Sequence, residues 1–268
     1  MSTRLVWHQA RLEQRSFWRN PQSAFFTVAM PLGLLVIFGA IAGKATVPGH
    51  AGLRAPVLLV PGFMAGDGSL ATMAKWLRAN GYWTRRAGIR SNIGCSQEAC
   101  LRLEERVEAL AERTGHKVAI VGQSRGGVLA RVVAYRRPDL VSGIVCLGAP
   151  TVSMLRVHPL VLLQVGLVGA LGTGRVPGLL SLSCWRGACC EPFRADLPAD
   201  FPPGVRYVSV YSRSDGLVDW RACLDPAADE HVEVRASHCG MAVSADVYRL
   251  LAGTLAEFAA PAEIPLAA

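Results

Sequence analysis

The sequence predicts an α/β fold in which a mostly parallel sheet carries helices on both faces. Strands covered on both faces read as continuous apolar runs, and three such runs occur, at residues 56–60, 117–121 and 142–147. Helical patterns separate these runs, and strands that alternate with helices of this length are typical of a parallel sheet. The 268 residues suit one enzyme-sized domain, and a content of 51% hydrophobic against 18% charged residues excludes a mainly disordered chain.

The helices between these strands are predicted from capping residues and apolar spacing. Ser69 is expected to cap a first helix that ends at Asn80-Gly81. A second helix is expected to begin at Ser96 and to stop at Gly115, and a third covers residues 128–135. Each of these helices follows a predicted strand or precedes one, as a parallel sheet requires.

The alternation stops after Gly148-Ala149-Pro150 and resumes with a strand at residues 205–211. Residues 151–200 are therefore interpreted as a cap inserted over the carboxyl edge of the sheet. The apolar stretch at residues 159–172 is short for a bilayer, which takes about 20 residues to cross. This favours a cap helix, buried or lying on the surface, over a second transmembrane segment.

The N-terminal residues 1–44 are predicted to form a basic cytoplasmic segment and a transmembrane helix. Residues 21–43 carry no charge and are long enough to span a bilayer core. A cleaved signal peptide is the alternative, because Ala40-Ile41-Ala42 matches the A-x-A pattern, but the apolar run exceeds the usual length of about 7–15 residues. Four arginines before the run favour a cytoplasmic N-terminus. We therefore expect a membrane-anchored protein with an extracytoplasmic main domain, secreted if the segment is cleaved.

The same N-terminal segment shows a loose resemblance to another family. The basic stretch at residues 15–21, followed by Phe25-Phe26 and Pro31-Leu32, resembles the opening of ABC-type exporter permeases. The resemblance implies a first membrane span preceded by a basic amphipathic segment. Such permeases need several spans and no comparable second one follows, so we do not expect this chain to transport alone.

The net charge limits the partners expected for the chain after residue 44. The formal net charge is +8, and residues 1–44 hold five basic residues and one acidic residue, which leaves 8 − 4 = +4 for the rest. No helix or stripe is dense in Lys and Arg, so we expect no nucleic-acid partner.

The domain boundaries are predicted as a linker at residues 45–54, a main domain at 55–258 and a tail at 259–268.

A G-x-S-x-G motif carries the predicted nucleophile. It reads Gly122-Gln123-Ser124-Arg125-Gly126 and lies between a predicted strand and a predicted helix. A sharp turn at this point needs glycine on both sides, since side chains there would collide with the neighbouring strand and helix, and it leaves the serine hydroxyl exposed. A glycine-rich turn with an inert serine is the plainer alternative.

A serine nucleophile needs a base that is oriented by a carboxylate. In the order Ser, Asp, His, the sequence offers Asp215 after the strand at 205–211 and His238 after a short strand at 232–234. Asp219 is the nearby rival for the acid. His231 and His158 are the rivals for the base, but His231 would lie in the strand itself and His158 in the insertion.

The oxyanion formed in acyl transfer needs two N–H donors. One is predicted to be the backbone of Arg125, which follows the nucleophile. The other is expected in the loop after the first strand, at residues 61–66, with Phe63 as the first choice and Met64 as the second.

At these residues the sequence resembles the bacterial lipase/esterase branch of the α/β-hydrolases. The resemblance covers residues 55–258 and rests on the segments at 60–63, 122–127, 147–150, 215–218 and 237–238. It implies an α/β-hydrolase fold and a serine ester hydrolase with a cap after the strand that follows the motif. Two positions differ from many lipases, because Pro61 and Gln123 stand where histidine is frequent.

The eight cysteines allow many disulfide pairings, so the sequence alone does not decide which of them are joined. Cys146 is predicted to be a buried thiol in a core strand. Cys95 with Cys100 could close a local loop, and disulfides would suit an extracytoplasmic domain. A second group could staple the cap to the sheet: Cys184, Cys189, Cys190 and Cys223. Zinc is disfavoured because no paired C-x₂-C spacing occurs, and Cys239 beside the proposed base is as consistent with packing as with a redox role.

The sequence thus predicts a serine hydrolase that cleaves carboxylic esters, including lipid esters with apolar acyl chains. The catalytic residues are Ser124, Asp215 and His238, with Phe63 and Arg125 at the oxyanion. No metal and no cofactor is expected, since neither G-x-G-x-x-G nor a Walker motif occurs. An acyltransferase or thioesterase with the same triad, or a non-catalytic membrane accessory protein, remains the alternative, and protein partners stay unknown.

Overall fold

The computed structural model describes residues 56–259. The predicted basic segment, membrane span, permease-like opening, linker and most of the tail therefore lie outside the described residues. Among residues 56–259, no helix is both long and apolar enough to cross a membrane.

The described chain forms a six-stranded sheet in the order β2-β1-β3-β4-β5-β6, and all neighbouring strands are parallel. The strands are β1 (Pro56–Val60), β2 (Trp83–Arg86), β3 (Val118–Gln123), β4 (Val141–Leu147), β5 (Arg206–Tyr211) and β6 (Glu230–Glu233). The strand order reverses beside β1, so the carboxyl ends of β1 and β3 border the crevice where ligands bind in open parallel sheets. The prediction of an α/β fold with a parallel sheet is confirmed.

Seven helices accompany these strands within the described residues. They are α1 (Ala71–Ala79), α2 (Ser96–Thr114), α3 (Arg125–Arg136), α4 (Pro159–Thr173), α5 (Ser183–Arg186), α6 (Glu191–Asp196) and α7 (Ala245–Ala259). The second predicted helix is confirmed, and it ends where Gly115 adopts the left-handed conformation with φ 69°. Helix α3 begins three residues before the predicted start, directly after Ser124.

The start of the first helix was predicted wrongly. Ser69 lies inside a 3₁₀ turn, Asp67–Leu70, and its hydroxyl donates a hydrogen bond back to the Gly66 carbonyl. Helix α1 begins only after this turn. The serine closes the loop after β1 rather than capping the helix.

The core consists of apolar side chains between the sheet and its helices. Strands β1 and β3 are buried along their whole length, as expected for strands covered on both faces. Helix α3 packs against them with a run of nine buried residues, and Arg131 in this run pairs with the buried Asp225 at 2.6 Å. Strand β2 was not predicted, because its sequence is polar and only Thr84 in it is buried.

The insertion at residues 151–200 has two different parts. Helix α4 confirms the predicted cap helix but lies on the surface, since only Gly169 in it is buried. In contrast, Phe193 in α6 is 2% exposed and belongs to the main core, together with Leu197. The end of the insertion is therefore part of the sheet's own packing.

Candidate active site

Ser124 lies at a strained turn between β3 and α3. Its backbone has φ 52° and ψ −125°, which is unusual for any residue with a side chain. A Cβ on Gly126 would overlap the Val60 carbonyl oxygen, and one on Gly122 would lie 2.5 Å from the Gly126 carbonyl oxygen. The two glycines of the motif are therefore required by close packing of strand, turn and helix, as the sequence predicts.

Asp215 and His238 are joined by a hydrogen bond. The distance between His238 Nδ1 and Asp215 Oδ2 is 2.7 Å, and both side chains are almost fully buried. The two loops also bond through their backbones, since the His238 N–H donates to the Asp215 carbonyl at 3.0 Å. An ionised carboxylate only accepts hydrogen bonds, so Nδ1 is the donor in its contact with Asp215.

The second carboxylate oxygen of Asp215 is held by the turn that follows it. Oδ1 accepts hydrogen bonds from the N–H groups of Val218 at 2.6 Å and Leu217 at 2.9 Å. Both oxygens are therefore bonded, and the carboxylate cannot rotate away from His238 without losing these contacts. This arrangement fixes the ring orientation of the histidine.

The serine turn and the Asp215–His238 pair meet at the end of β4. The Ser124 N–H donates to the Leu147 carbonyl at 2.8 Å. The next residue, Gly148, has φ 56°, and a Cβ there would lie 3.1 Å from Asp215 Oδ2 and 3.3 Å from His238 Nδ1. Among residues 56–259, no hydrogen bond joins Ser124 Oγ to His238, and such contacts are often long before substrate binds.

The two predicted oxyanion donors lie in segments that Asn92 ties together. Arg125 is the first residue of α3, where backbone N–H groups have no acceptor within the helix. Phe63 pairs with Asn92 in an isolated parallel bridge, and the Asn92 side chain donates to the Pro61 carbonyl at 2.8 Å. The Asn92 carbonyl in turn accepts from the Arg125 guanidinium at 2.7 Å. Met64, the second choice, has a strained φ of 58° in the same loop.

The rival residues occupy other places. Asp219 is the N-cap of a 3₁₀ turn, Trp220–Cys223, where its carboxylate accepts from the Arg221 N–H. His231 lies in β6 and bonds to the Asp225 carbonyl at 2.9 Å. His158 caps α4 through its ring nitrogen. None of the three contacts the Asp215–His238 pair among the described hydrogen bonds.

Sequence reasoning missed two positioning residues. Gln123 was treated only as a departure from a family pattern, yet its side-chain amide donates to the His238 carbonyl at 2.9 Å. Asn92 was not singled out at all, although it is 3% exposed and hydrogen-bonded on both sides. A buried polar residue in a loop near a strand end is a signal, but burial is visible only in the structure.

None of the suggested cysteine pairings is formed, since all eight cysteines are free thiols. Cys100 is buried against the Leu129 carbonyl, and Cys223 is buried with its carbonyl accepting a hydrogen bond from the Ser209 hydroxyl. Cys146 is buried as predicted. The other thiols, except exposed Cys239, form a group that we call the cysteine cluster: Cys95, Cys184, Cys189 and Cys190.

Comparisons with known proteins support the fold. No family model matches the chain. The mature lipase BlEst2 of Bacillus licheniformis is similar, with a TM-score of 0.58, 15% identity, and coverage of 78% of this chain and 95% of the other. A soluble variant of the monoglyceride lipase of Saccharomyces cerevisiae gives a TM-score of 0.55, 15% identity, and coverage of 80% and 89%.

A third similar structure is the α/β hydrolase enzyme MGS-MChE2 from the metagenome of lagoon sediments at Mar Chica, Morocco. It gives a TM-score of 0.53, 16% identity, and coverage of 76% of this chain and 91% of the other. The chain therefore has the fold of the α/β-hydrolases, which confirms the predicted fold class for the described residues.

Proposed function

We propose that this protein is a serine hydrolase that cleaves carboxylic esters through Ser124, His238 and Asp215. The observation that carries the proposal is the 2.7 Å hydrogen bond between Asp215 and His238, placed beside the strained turn that presents Ser124. A buried carboxylate–imidazole pair next to a serine on a strand–turn–helix elbow is the arrangement that acyl transfer requires.

The first half-reaction follows from the roles of these groups. His238 Nε2 accepts the Ser124 proton while Ser124 Oγ bonds to the ester carbonyl carbon, and Asp215 stabilises the resulting imidazolium. The backbone N–H groups of Arg125 and Phe63 donate to the oxyanion of the tetrahedral intermediate. His238 then gives its proton to the leaving alcohol, and the acyl group remains on Ser124.

The second half-reaction repeats these steps with water. His238 removes a proton from the attacking water, the tetrahedral intermediate forms again, and Ser124 leaves with the proton from His238. The products are a carboxylic acid and the free enzyme. No redox cofactor is needed, because the ester and water supply all the atoms.

Exposed apolar side chains support an ester with an apolar acyl chain. Leu163 and Leu167 on α4 are 68% and 62% exposed. Leu217, in the loop after β5 that carries Asp215 and that we call the acid loop, and Met64, in the loop after β1, are also exposed. The acid loop touches the insertion, because Val218 pairs with Val157 just before α4. Apolar surface of this extent is favourable to bury against a hydrocarbon chain.

Active-site labelling tests the proposal. The full chain, a Ser124→Ala variant and a Ser142→Ala control are treated with a fluorophosphonate probe and assayed on p-nitrophenyl esters of increasing chain length. Ser142 lies at the amino end of β4, away from the elbow. We expect labelling and turnover in the wild type and the control, and loss of both with Ser124→Ala.

The product is also measured in water without an added alcohol. Release of the free carboxylic acid under these conditions identifies hydrolysis rather than transfer of the acyl group to another acceptor. A folded wild-type chain that takes up no probe and cleaves no ester would overturn the proposal. Labelling that survives in Ser124→Ala would assign the nucleophile to another residue.

A further inference from the structure

The cysteine cluster brings four thiols together from two distant parts of the chain. Cys95 is the residue before α2, Cys184 lies in α5, and Cys189 and Cys190 lie in the 3₁₀ turn between α5 and α6, all three within the insertion. All four sulfur atoms lie within 4.8 Å of one another, and the chain carries them as free thiols. The cluster has no role in the proposed ester chemistry.

The spacing fits a tetrahedral metal site. Zinc bound by four thiolates has Zn–S distances of about 2.3 Å, so the sulfur atoms of an ideal tetrahedron lie about 3.8 Å apart. Cys184 Sγ and Cys189 Sγ are 3.7 Å apart, and Cys95 Sγ and Cys190 Sγ are 3.2 Å apart. All four sulfur atoms lie within 4.8 Å of one another, so no separation exceeds the ideal edge by more than about 1 Å.

The closeness of the four sulfur atoms indicates why a cation would be held here. Thiolates at these distances repel one another unless a cation lies between them.

The surroundings of the cluster resemble the outer shell of a metal site. The Ser181 hydroxyl is 3.7 Å from Cys184 Sγ, and the Ser183 hydroxyl is 3.8 Å from Cys189 Sγ. The Arg194 guanidinium donates to the carbonyls of Cys184 and Gly187, which holds the turn between the thiols. Such contacts orient ligands and raise metal affinity.

A partly buried cation lies beside the cluster. The Arg125 guanidinium donates to the Gly94 carbonyl at 2.6 Å and to Ser96 Oγ at 3.1 Å, on either side of Cys95. Burial lowers the pKa of Arg125, and the nearby thiols Cys100, Cys190 and Cys95 act in the opposite direction. Four thiolates around one Zn²⁺ carry a net charge of −2, which this guanidinium partly balances.

We propose that the cysteine cluster binds one Zn²⁺ ion through its four thiolates. Each thiol releases its proton to the solvent as its sulfur binds the metal, so binding is accompanied by the loss of up to four protons and involves no redox step. The site is structural, because four protein ligands leave no position for water or substrate. It joins the end of the insertion to the loop before α2.

Metal and thiol content test this proposal without any measurement of activity. The full chain, purified without chelator, is incubated with ZnCl₂, desalted, and measured for zinc by plasma mass spectrometry. We expect one zinc per chain. Alkylation in denaturant with chelator and without reductant, followed by mass measurement, is expected to find all eight cysteines as thiols. Replacement of zinc by Co²⁺ is expected to give the visible bands of tetrahedral cobalt and a thiolate charge-transfer band.

A matched pair of variants locates the site. Cys189→Ser and Cys239→Ser each replace one exposed cysteine, and only Cys189 belongs to the cluster. Cys189→Ser is expected to lower zinc affinity by more than the roughly 10–100-fold that loss of an outer-shell partner causes. Cys239→Ser is expected to keep one zinc with wild-type affinity. Circular dichroism checks that both variants are folded.

Several outcomes would overturn the proposal. If only four of the eight cysteines are alkylated and no zinc is found, the cluster holds two disulfides. If six are alkylated, it holds one disulfide. Eight free thiols in a chain that takes up neither Zn²⁺ nor Co²⁺ would show a reduced cluster that binds no metal. Equal zinc retention in both variants would place the metal elsewhere. Each of these results is independent of whether Ser124 is a nucleophile.

Discussion

The carboxyl edge of the sheet and helix α4 of the insertion are packed in opposite ways. At the edge, a Cβ on Gly126 would overlap the backbone of β1, and a Cβ on Gly127 would lie only 2.5 Å from the Ala149 side chain. On α4, Gly166 faces open space, and Leu163 is 68% exposed. The first region tolerates almost no change in shape, whereas the second presents apolar surface to the solvent.

This difference suits the two tasks of the proposed function. The proposed acyl transfer would need reacting groups held in a fixed geometry, and the edge is fixed by backbone contacts and buried hydrogen bonds such as that between Asp215 and His238. Recognition of an apolar acyl chain would need accessible apolar surface, which α4 presents. The insertion itself is mixed, because Phe193 near its end lies in the main core.

The largest effect is expected at the acid that orients the base. Asp215→Asn should lower kcat for ester hydrolysis by roughly 10³–10⁴-fold, because the amide no longer stabilises the imidazolium and favours the wrong tautomer. Asp219→Asn, four residues away, should change kcat by less than about tenfold, since asparagine caps a helical turn about as well as aspartate and a cap contributes only about 1 kcal/mol to local stability. Steady-state kinetics on the preferred ester measure both. Equal losses in the two variants would remove Asp215 from its proposed role.

The two parts of the insertion should differ strongly in stability. Phe193→Ala is expected to lower the free energy of unfolding by about 3–5 kcal/mol, because the buried ring leaves a cavity. Leu163→Ala on α4 should change it by no more than about 0.5 kcal/mol, as for other exposed positions. Urea denaturation of the full chain compares the two. Similar values would show that α4 is packed more tightly than its exposure indicates.

Two helical glycines should respond in opposite directions to the same substitution. Gly126→Ala is expected to destabilise the chain by about 3 kcal/mol or more, because the new methyl group collides with backbone that cannot move. Gly253→Ala in α7, where the added carbon meets nothing within 4 Å, should stabilise it by about 0.5–1 kcal/mol. Thermal unfolding resolves both signs. A neutral Gly126→Ala variant would show that the elbow is looser than described.

The smallest effect is expected on the exposed face of α4. A variant with Leu163→Gln and Leu167→Gln should hydrolyse long-chain esters about 3–10-fold more slowly, since it loses apolar area worth about 1 kcal/mol in contact with the acyl chain. Short-chain esters should be cleaved at the wild-type rate. The ratio of kcat/KM for the two substrates is the measurement. A fall of equal size for both esters would argue against a role of α4 in acyl-chain binding.

Much of the fold was predictable because local patterns carry it. The strands predicted from three apolar runs and from the strand patterns at residues 205–211 and 232–234 overlap five of the six described strands, and Gly115 marked the end of α2 correctly. Strand β2 was not predicted because it is a polar edge strand with one buried residue. Ser69 was misplaced because a serine can close a loop as readily as it caps a helix, and the choice depends on the loop's partner, Gly66.

The candidate site was predictable in part for the same reason. The turn around Ser124 belongs to a local motif, residues 122–126, and its two outer glycines indicate that backbone segments pack closely there. Asp215 was favoured over Asp219 because it directly follows a predicted strand, and His238 over His231 because it lies in a loop after one. The structure brings Asp215 and His238 into contact. Gln123 and Asn92 could not be recognised, because their hydrogen-bond partners lie 115 and 31 residues away.

The amino-acid sequence by itself determined the α/β class, the strand–turn–helix motif around Ser124 and a short set of candidate catalytic groups, since these depend on local periodicity, motif spacing and order along the chain. Only the tertiary structure decided which groups meet. It paired Asp215 with His238 across 23 residues and gathered Cys95 with thiols some 90 residues further along the chain. Such contacts depend on the order of strands in the sheet and on burial, and no local pattern of residues encodes either.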